Sequence, residues 1–242
     1  MNAYSALSRR YDVLTEDIPY EKFAAYYQEE FQCDGGVFHL LLDLCCGTGT
    51  LTWLLAEKGF EMIGTDASDE MLSVAVQKSS PSAVHPLFLC QAAEELDLYG
   101  TVDAAVSSLD SINYIPPHHF PAVLKRLHLF IRPGGLFIFD IRSEKWLKQL
   151  DGGTFVDEKD DLLCLWRADF EPENDTLRYG IDIFTRKGKL WERQEEEHTE
   201  YVYREAELEQ MLRDAGFTLL KTDREGPQGE IGREFYICRR NF

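Results

Sequence analysis

Two aspartates at the ends of neighbouring apolar segments, with a glycine-bearing turn between them, are the residues best placed for ligand chemistry. Residues 40–50 (LLLDLCCGTGT) place Asp43 in an apolar strand and Gly47 and Gly49 in the turn that follows. Glycines let the backbone approach a ligand closely, and the helix predicted from Leu51 presents unpaired N–H groups there. A carboxylate before such a turn would repel a pyrophosphate but would suit a cationic amino group.

A second carboxylate, Asp66, ends the next apolar segment. Residues 59–66 predict a short strand, and the next helix opens just after it. Asp66 lies 17 residues after Gly49, close to the spacing of about 20 at which an acidic residue meets ribose hydroxyls in nucleotide-binding units. A carboxylate accepts two hydrogen bonds side by side, which matches a vicinal diol. Either Asp66 or Ser68 could cap the helix; because Ser68 can do so, we expect Asp66 to bind a ribose.

The spacing of the glycines separates two classes of nucleotide site. The dinucleotide fingerprint requires a third glycine three residues after the second, but Gly49 is followed by Thr50, Leu51 and Thr52. This departure and the carboxylate of Asp43 argue against a nicotinamide (NAD)-dependent oxidoreductase, which is the first alternative interpretation of the fold.

The overall composition bounds the partners of the chain. It has 242 residues, 44% of them hydrophobic, and a formal net charge of −18. Phosphate backbones are bound by clustered Lys and Arg, so this acidity argues against a nucleic-acid partner. A signal peptide and an apolar run of about 20 residues are both absent, so we expect a cytoplasmic protein without a membrane segment. The six cysteines form no C-x-x-C pattern, which predicts reduced thiols, and no metal site is predicted.

The elements that position these residues follow from hydrophobic patterning. Strand-like runs alternate with helical spacing from residue 40 to 142, which is typical of a parallel sheet with helices on both faces. The predicted strands are 39–45, 60–65, 85–90, 102–109 and 135–141. The predicted helices are 50–58, 68–79 and 118–131, with a sharp break at 132–135 (RPGG). The pattern therefore predicts a doubly wound, mostly parallel α/β sheet.

Residues 1–38 precede this alternation and are rich in aromatic residues, including Tyr4 and Tyr11. The spacing within residues 20–32 predicts a helix. Packing against the sheet is the usual fate of such aromatics, but the segment is also suited to lie over the mouth of the ligand site. We therefore predict an N-terminal helical cover over residues 1–38.

Residues 153–203 change to a strand-like pattern of β-branched and aromatic residues. Three antiparallel strands are predicted there as an inserted cap, at 161–170, 176–186 and 190–203. The glutamate run 195–197 predicts a solvated strand end. A helix at 205–215, with Gly216 in the C′ position, leads to strands at 217–223 and 233–239. The main domain is therefore predicted to be a seven-stranded unit of residues 39–152 and 204–242.

Several stretches, in their order along the chain, resemble motifs of the class I S-adenosylmethionine (SAM) dependent methyltransferases. The pattern D-x-x-x-G-x-G from Asp43 to Gly49 resembles motif I. The later stretches are GTDAS at 64–68 with Met71 and Leu72, VDAAVS at 102–107, RPGG at 132–135, and Tyr203 with EL at 207–208, Leu212 and AGF at 215–217. Tyr4, Tyr11, Asp12 and Tyr20, with DSINY at 110–114, resemble small bacterial members with an N-terminal helical cover and an antiparallel insertion. The resemblance covers most of the chain and implies a Rossmann-like fold with SAM as cofactor.

The resemblance also implies a set of SAM contacts across the carboxyl ends of the strands. Asp43 would hold the ammonium and Asp66 the ribose hydroxyls. The methionine part would be lined by Gly47, Thr48 and Gly49, with Tyr11 as a lid. The adenine would be bordered by Ala67, Met71, Ala92, Ala93 and Glu94. The strand end beside the sulfonium would be lined by Ser107, Leu109 and Asp110.

Two positions depart from the family pattern. Cys45 stands where the family often has its first glycine, so the turn must tolerate a side chain there. Near Ala92 the family often has an aspartate that holds the adenine amino group, and this carboxylate is absent. Gln91, a backbone group or Glu94 could substitute for it.

Methyl transfer from a sulfonium is a displacement at a carbon that positive charge already activates. The protein must place the nucleophile about 3 Å from the methyl group and exclude water, and it needs a base only when the acceptor arrives protonated. The residues expected to position the acceptor are Tyr11, Asp110, Asn113 and Tyr114. The alternative is that Asn113 bonds to the backbone and Tyr114 packs in a turn; His118 or His119 is a weaker candidate base.

The predicted function is the transfer of a methyl group from SAM to a nitrogen, oxygen or sulfur atom of a small molecule. A non-catalytic SAM-binding protein is the second alternative, because methyl transfer requires no invariant catalytic residue. The sequence leaves the acceptor atom and the oligomeric state open.

Overall fold

A seven-stranded sheet with helices on both faces forms the centre of the protein. The computed structural model describes residues 7, 8, 10–81, 84–227, 229 and 232–242. The central strands are β1 (Leu40–Leu44), β2 (Glu61–Asp66), β3 (Leu87–Cys90), β4 (Val102–Ser107) and β5 (Ile131–Arg142), followed after a second sheet of four strands, β6 to β9, by β10 (Phe217–Asp223) and β11 (Arg233–Arg240). The spatial order is β10-β11-β5-β4-β1-β2-β3, with β11 antiparallel to both neighbours. The predicted doubly wound, mostly parallel α/β fold is confirmed.

Seven helices accompany the strands in the described part of the chain. They are α1 (Tyr11–Leu14), α2 (Tyr20–Asp34), α3 (Thr50–Glu57), α4 (Asp69–Ala75), α5 (Phe120–Phe130), α6 (Glu144–Gln149) and α7 (Glu205–Asp214), with single 3₁₀ turns at Ala93–Glu95 and Ser111–Tyr114. Apolar residues of α2 and α3 bury one face of the central sheet, and those of α5 and α7 bury the other. Among the described residues, no helix has the length and apolar character needed to cross a bilayer.

The first strand lies in the middle of the sheet because both of its faces are apolar. Leu41 packs into the cluster under α2 and α3, while Leu42 and Leu44 pack into the cluster under α5 and α7. Such a continuous apolar run suits a parallel strand that is covered on both sides. β1 pairs with β2 on one side and with β4 on the other. The order of the strands therefore reverses at β1, with β2 and β3 on one side and β4 and β5 on the other, and a crevice opens at its carboxyl end, where open α/β sheets bind ligands.

The fifth strand begins earlier than predicted. We expected a break at 132–135, but β5 starts at Ile131, and the register against β4 shifts between Val102 and Ala104. Gly134 has a φ of 77°, and a Cβ on Gly135 would lie 2.3 Å from the carbonyl oxygen of Asp103. The glycines therefore form an irregularity within the strand rather than a loop before it.

The second sheet consists of four antiparallel strands, one more than predicted. Its strands are β6 (Gly153–Lys159), β7 (Leu162–Glu171), β8 (Thr176–Lys187) and β9 (Leu190–Tyr201), in that spatial order. The strand absent from the prediction is β6, an edge strand in which Phe155 and Val156 are both exposed. An edge strand with no buried face lacks the alternation on which a sequence-based prediction depends.

The N-terminal segment packs mainly against the central sheet. Phe23, Tyr27 and Phe31 of α2 are buried in the cluster that also contains Leu51 and Leu55 of α3. Residues 1–6, including Tyr4, and residue 9 of the predicted cover lie outside the described residues. Within the described part of the cover, Tyr11 in α1 borders the crevice at the carboxyl edge.

Candidate active site

The glycine-bearing turn after β1 is built from left-handed backbone. Cys45, Gly47 and Gly49 have φ values of 59°, 53° and 70°. A side chain at Gly49 would meet the Phe88 ring and Ala75 at 3.0 Å, so the close approach there requires glycine. Cys45 takes the left-handed conformation with a side chain, at a cost of roughly 1–2 kcal/mol. The turn therefore has the shape expected of a ligand cradle despite this departure from the family pattern.

Asp43 is a buried carboxylate without a cationic partner. It is 2% exposed, and its Oδ2 accepts a hydrogen bond of 2.5 Å from the Thr52 hydroxyl. Burial raises the pKa of Asp43 to about 7, and the nearby charge of Asp66 adds to the effect. No ion pair joins it to any Lys or Arg in the described part of the chain. A ligand ammonium placed here would supply the missing positive charge.

Asp66 ends β2 on the other side of the turn. Its Oδ2 accepts from the Gly47 amide at 2.8 Å and its Oδ1 from the Ser68 amide at 2.9 Å. Ser68 caps α4 by accepting from the Met71 amide. Burial raises the pKa of Asp66, and the backbone hydrogen bonds partly offset this. Each carboxylate oxygen keeps a second lone pair, so Asp66 can still accept hydrogen bonds from a diol in the crevice.

A cavity of about 570 Å³ lies between the carboxyl edge of the central sheet and strand β9 of the second sheet. The predicted site residues that line it are Tyr11, Gly47, Asp66, Ala67, Met71, Ala92, Ala93, Glu94 and Tyr114. A narrower space of about 40 Å³ adjoins it at the glycine turn, lined among the predicted residues by Tyr11, Asp43, Gly47, Thr48 and Leu109. The larger volume falls within the range of about 300–1,000 Å³ that small-molecule sites occupy.

Four predicted residues lie outside both spaces, namely Gly49, Ser107, Asp110 and Asn113. Asn113 is fully buried. Its Nδ2 donates to the Tyr201 carbonyl at 2.9 Å, and its Oδ1 accepts from the Arg142 amide at 2.8 Å. The expectation that Asn113 positions an acceptor is therefore corrected, because its amide joins the loop after β4 to the backbone of β5 and β9. Ser107 is likewise fully buried in β4, away from the cavity.

Asp110 belongs to a buried ionic cluster. It pairs with Arg233 at 2.6 Å, and Arg233 also pairs with Asp140. Asp140 accepts from the amides of Leu109 and Asp110 at 2.9 and 2.8 Å. Burial raises the pKa of Asp140, while the Arg233 charge opposes that rise. The arrangement holds the loop after β4 in place and leaves Asp110 outside the lining of both spaces, so its contact with the acceptor stays a prediction.

The loop after β3 contains the two side chains, Gln91 and Glu94, that could substitute for the missing adenine aspartate. Gln91 is committed elsewhere, because its side chain bonds the backbone of Asp97 at 3.0 and 3.1 Å. Glu94 lines the cavity and lies 3.7 Å from His119. Of the two side chains that could substitute for the aspartate, Glu94 is therefore the one in position. Neither His118 nor His119 lines the cavity.

Sequence reasoning missed the wall that β9 contributes. Its cavity-lining residues are Glu197, His198, Thr199 and Tyr201. We expected the glutamate run to be solvated, but Glu196 is buried, accepting from the Leu7 amide at 3.0 Å and bonding His198 Nε2 at 2.9 Å. The sequence carried no signal for this wall, because residues 192–200 (ERQEEEHTE) are all polar and show no alternation that separates a buried face from an exposed one.

The site and the fold together indicate the class of protein to which the chain belongs. A parallel sheet with a glycine turn, a buried carboxylate lacking a cation and a second carboxylate on the cavity fit a nucleoside that carries a positive charge. A methyltransferase-domain family profile matches residues 41–135. The Bacillus subtilis (strain 168) protein named "Putative methyltransferase YqeM" is 31% identical, with 98% of this chain and 97% of that one covered.

Solved structures extend this likeness. A SAM-dependent methyltransferase from Clostridium acetobutylicum ATCC 824 superposes with a TM-score of 0.86 at 30% identity over the whole of both chains. SAM-bound CalS10, an amino pentose methyltransferase from Micromonospora echinaspora, shares the fold with a TM-score of 0.74 at 16% identity over 92% of each chain. The chain belongs to the class I SAM-dependent methyltransferases. It is an enzyme and uses SAM as its cofactor, which excludes the nicotinamide-dependent and the non-catalytic alternatives.

Proposed function

We propose that this enzyme moves the methyl group of SAM to the nucleophilic atom of a small molecule in the 570 Å³ cavity. The observation that carries the proposal is the position of β9. This strand forms the wall opposite the carboxyl edge of the central sheet, so a cofactor and an acceptor would share one bounded space. A space of this size suits a metabolite beside a nucleoside. The acidic chain as a whole, with a net charge of −18, also disfavours nucleic acid.

We further propose how the chain divides the work. Residues 39–152 and 204–242 would hold the cofactor, residues 153–203 would cap the acceptor, and residues 1–38 would cover the entrance. Asp43 would hold the ammonium of the cofactor and Asp66 the ribose, while Glu94 would face the adenine. Localisation in the cytoplasm fits this proposal.

The reaction requires the protein mainly to position the two reactants and to exclude water. When bound, the cofactor supplies a methyl group that its positive sulfur already activates. Tyr11 and Tyr114 would orient the acceptor and keep water away from the line of attack. The position of α1 over the glycine turn supports this, because Asp12 accepts from the Thr48 hydroxyl at 2.6 Å and pairs with Lys78 at 2.8 Å.

The test is a labelling experiment with methyl-labelled SAM and a cell extract divided into small molecules, protein and nucleic acid. We expect label in the small-molecule fraction with the wild type, strongly reduced with Asp66→Ala and unchanged with Asp160→Asn, an exposed residue in the turn between β6 and β7. Label confined to protein or nucleic acid would overturn the proposed acceptor class. Calorimetry with S-adenosylhomocysteine tests the cofactor site separately.

A further inference from the structure

We infer that the acceptor is an amine, held in its cationic form against the tyrosines of the cavity before transfer; this inference rests on the proposed function. Tyr11, Tyr114 and Tyr201 come from three separate elements and line the same space. The acidic side chains among the described lining residues are Asp66, Glu94 and Glu197, and none of the lining residues is Lys or Arg. Asp66 and Glu94 are assigned above to the cofactor, so Glu197, which lies 3.4 Å from Arg178, is the carboxylate on the acceptor side. An organic cation is attracted to tyrosine ring faces and to carboxylates, whereas a carboxylate or phosphate acceptor would find no charge partner there.

The arginines nearest to the cavity do not make its electrostatic environment positive. Arg233 is paired with Asp110 and Asp140, and Arg142 lies 3.6 Å from Asp110. Glu200 is only 3% exposed, and it interacts electrostatically with Asp110, Arg142 and Arg233. The cluster behind the cavity thus contains three carboxyl groups and two guanidinium groups. It presents no net positive charge to a ligand.

Contacts on the side away from the cavity hold Tyr114 and Tyr201 in place. The Tyr114 hydroxyl bonds to Glu200, and the Tyr114 ring meets the His198 ring edge-on with centroids 6.1 Å apart. The backbone carbonyl of Tyr201 is fixed by the Asn113 amide at 2.9 Å. The Tyr201 side chain packs against the apolar cluster under α5 and α7. Both rings are therefore held before a ligand arrives, which favours cation binding because little ordering remains to be done.

The base requirement also favours an amine. A hydroxyl acceptor is too weakly acidic to ionise before transfer and needs a base in contact with it, but the His198 side chain is 1% exposed and its Nε2 is bonded to Glu196. An ammonium instead releases one proton to water at the open mouth of the cavity. The lone pair of the resulting neutral amine then forms the N–C bond to the methyl carbon. The C–S bond breaks with its electron pair left on sulfur, and the methylated product carries the positive charge.

The experiment compares three probes of one shape on enzyme saturated with S-adenosylhomocysteine. Choline is the cation, 3,3-dimethyl-1-butanol its uncharged carbon analogue, and 3,3-dimethylbutyrate an anion of similar bulk. Titrations are followed by NMR. We expect choline to bind at least about tenfold more tightly than the alcohol, since desolvated cation–π contacts reach about that strength. Equal binding of choline and the alcohol, preference for the anion, or no binding of choline would each overturn the inference.

Variants assign the effect to the rings. Tyr114→Leu and Tyr201→Leu should each weaken choline binding about fivefold and leave the alcohol unchanged, while Tyr114→Phe and Tyr201→Phe retain the ring and the binding. Tyr99→Leu, at a fully exposed tyrosine, is the matched control. Unchanged affinity for S-adenosylhomocysteine shows that each variant is folded. Enzyme that binds S-adenosylhomocysteine without a cation preference refutes only the amine; enzyme that does not bind it refutes the proposed function as well.

Discussion

Replacement of Asp43 by Asn removes a buried charge while it keeps an oxygen that can accept from Thr52. The folded-state pKa of Asp43 is about 7 against an ordinary value of 3.8. The folded state therefore holds a proton that the unfolded chain has released, and this stabilises the protein at low pH. The contribution is lost as the pH rises towards 7. The contribution falls by about 2 kcal/mol between pH 5 and pH 7, and by about 3 kcal/mol once the pH is well above 7.

Urea unfolding of the ligand-free enzyme at pH 5, 6, 7 and 8.5 measures this contribution. Asp66, Asp140 and Glu200 also have raised pKa values, so the wild type loses stability with pH for several reasons. The difference between Asp43→Asn and the wild type isolates one group. We expect the variant to gain about 3 kcal/mol relative to the wild type from pH 5 to pH 8.5, and Asp160→Asn to show no such gain. A difference that stays constant with pH would refute the assignment of the buried charge.

The same substitution tests the role of Asp43 in binding. If Asp43 must be ionised to hold the cofactor ammonium, the affinity of the wild type for S-adenosylhomocysteine falls by up to about tenfold for each pH unit below 7. The Asn variant should bind more weakly at pH 8 and lack this dependence. Calorimetry at the four pH values gives both quantities, and identical pH profiles for the two proteins would contradict the proposed contact.

Three further predictions concern other parts of the site and its support. Asp66→Asn should weaken S-adenosylhomocysteine binding about 10- to 100-fold, as calorimetry would show, and unchanged affinity would exclude the ribose role. Asp12→Ala should speed release of S-adenosylhomocysteine about twofold to fivefold in stopped-flow measurements, with little change in unfolding. Gly135→Ala should destabilise the fold by about 1–3 kcal/mol in urea, because its Cβ would meet the carbonyl of Asp103; Gly100→Ala, with open space around it, should not.

The central fold was predictable because each level of sequence information agreed with the next. The apolar run at 40–44 (LLLDL) has the length of a strand covered on both faces, and the glycines after it mark where the chain turns into α3. The strand β6 was not predictable. Its residues Phe155 and Val156 are exposed at the edge of the second sheet, so they share no face with a core and show no periodicity.

The candidate site was predictable on the central sheet and not on the second one. Asp66 and Glu94 were expected at strand ends and line the cavity, because the carboxyl ends of parallel strands meet at one edge. The predicted role of Asn113 was wrong because its position in the sequence fits a residue that faces the cavity as well as one that bonds to the backbone. Only its hydrogen bonds in the structure distinguish the two. His198 and Tyr201 were missed because the pairing that brings β9 to the crevice joins residues far apart in the chain.

The two walls of the cavity differ in how firmly they are held, which indicates the path of ligand entry. The β9 wall is tied to the loop after β4 by buried hydrogen bonds, from Asn113 to Tyr201 and from the Tyr203 hydroxyl to the Ile115 carbonyl at 2.7 Å. Breaking buried bonds of this kind leaves unpaired polar groups, which is costly. On the other side, α1 packs against the second sheet through Tyr11 and Leu14, and Asp12 connects it to the glycine turn. Asp12 does so through a hydrogen bond from Thr48 and a partly exposed ion pair to Lys78, and such exposed pairs contribute little. Ligands should therefore enter by displacement of α1, while the second sheet keeps its place and sets the size of the acceptor.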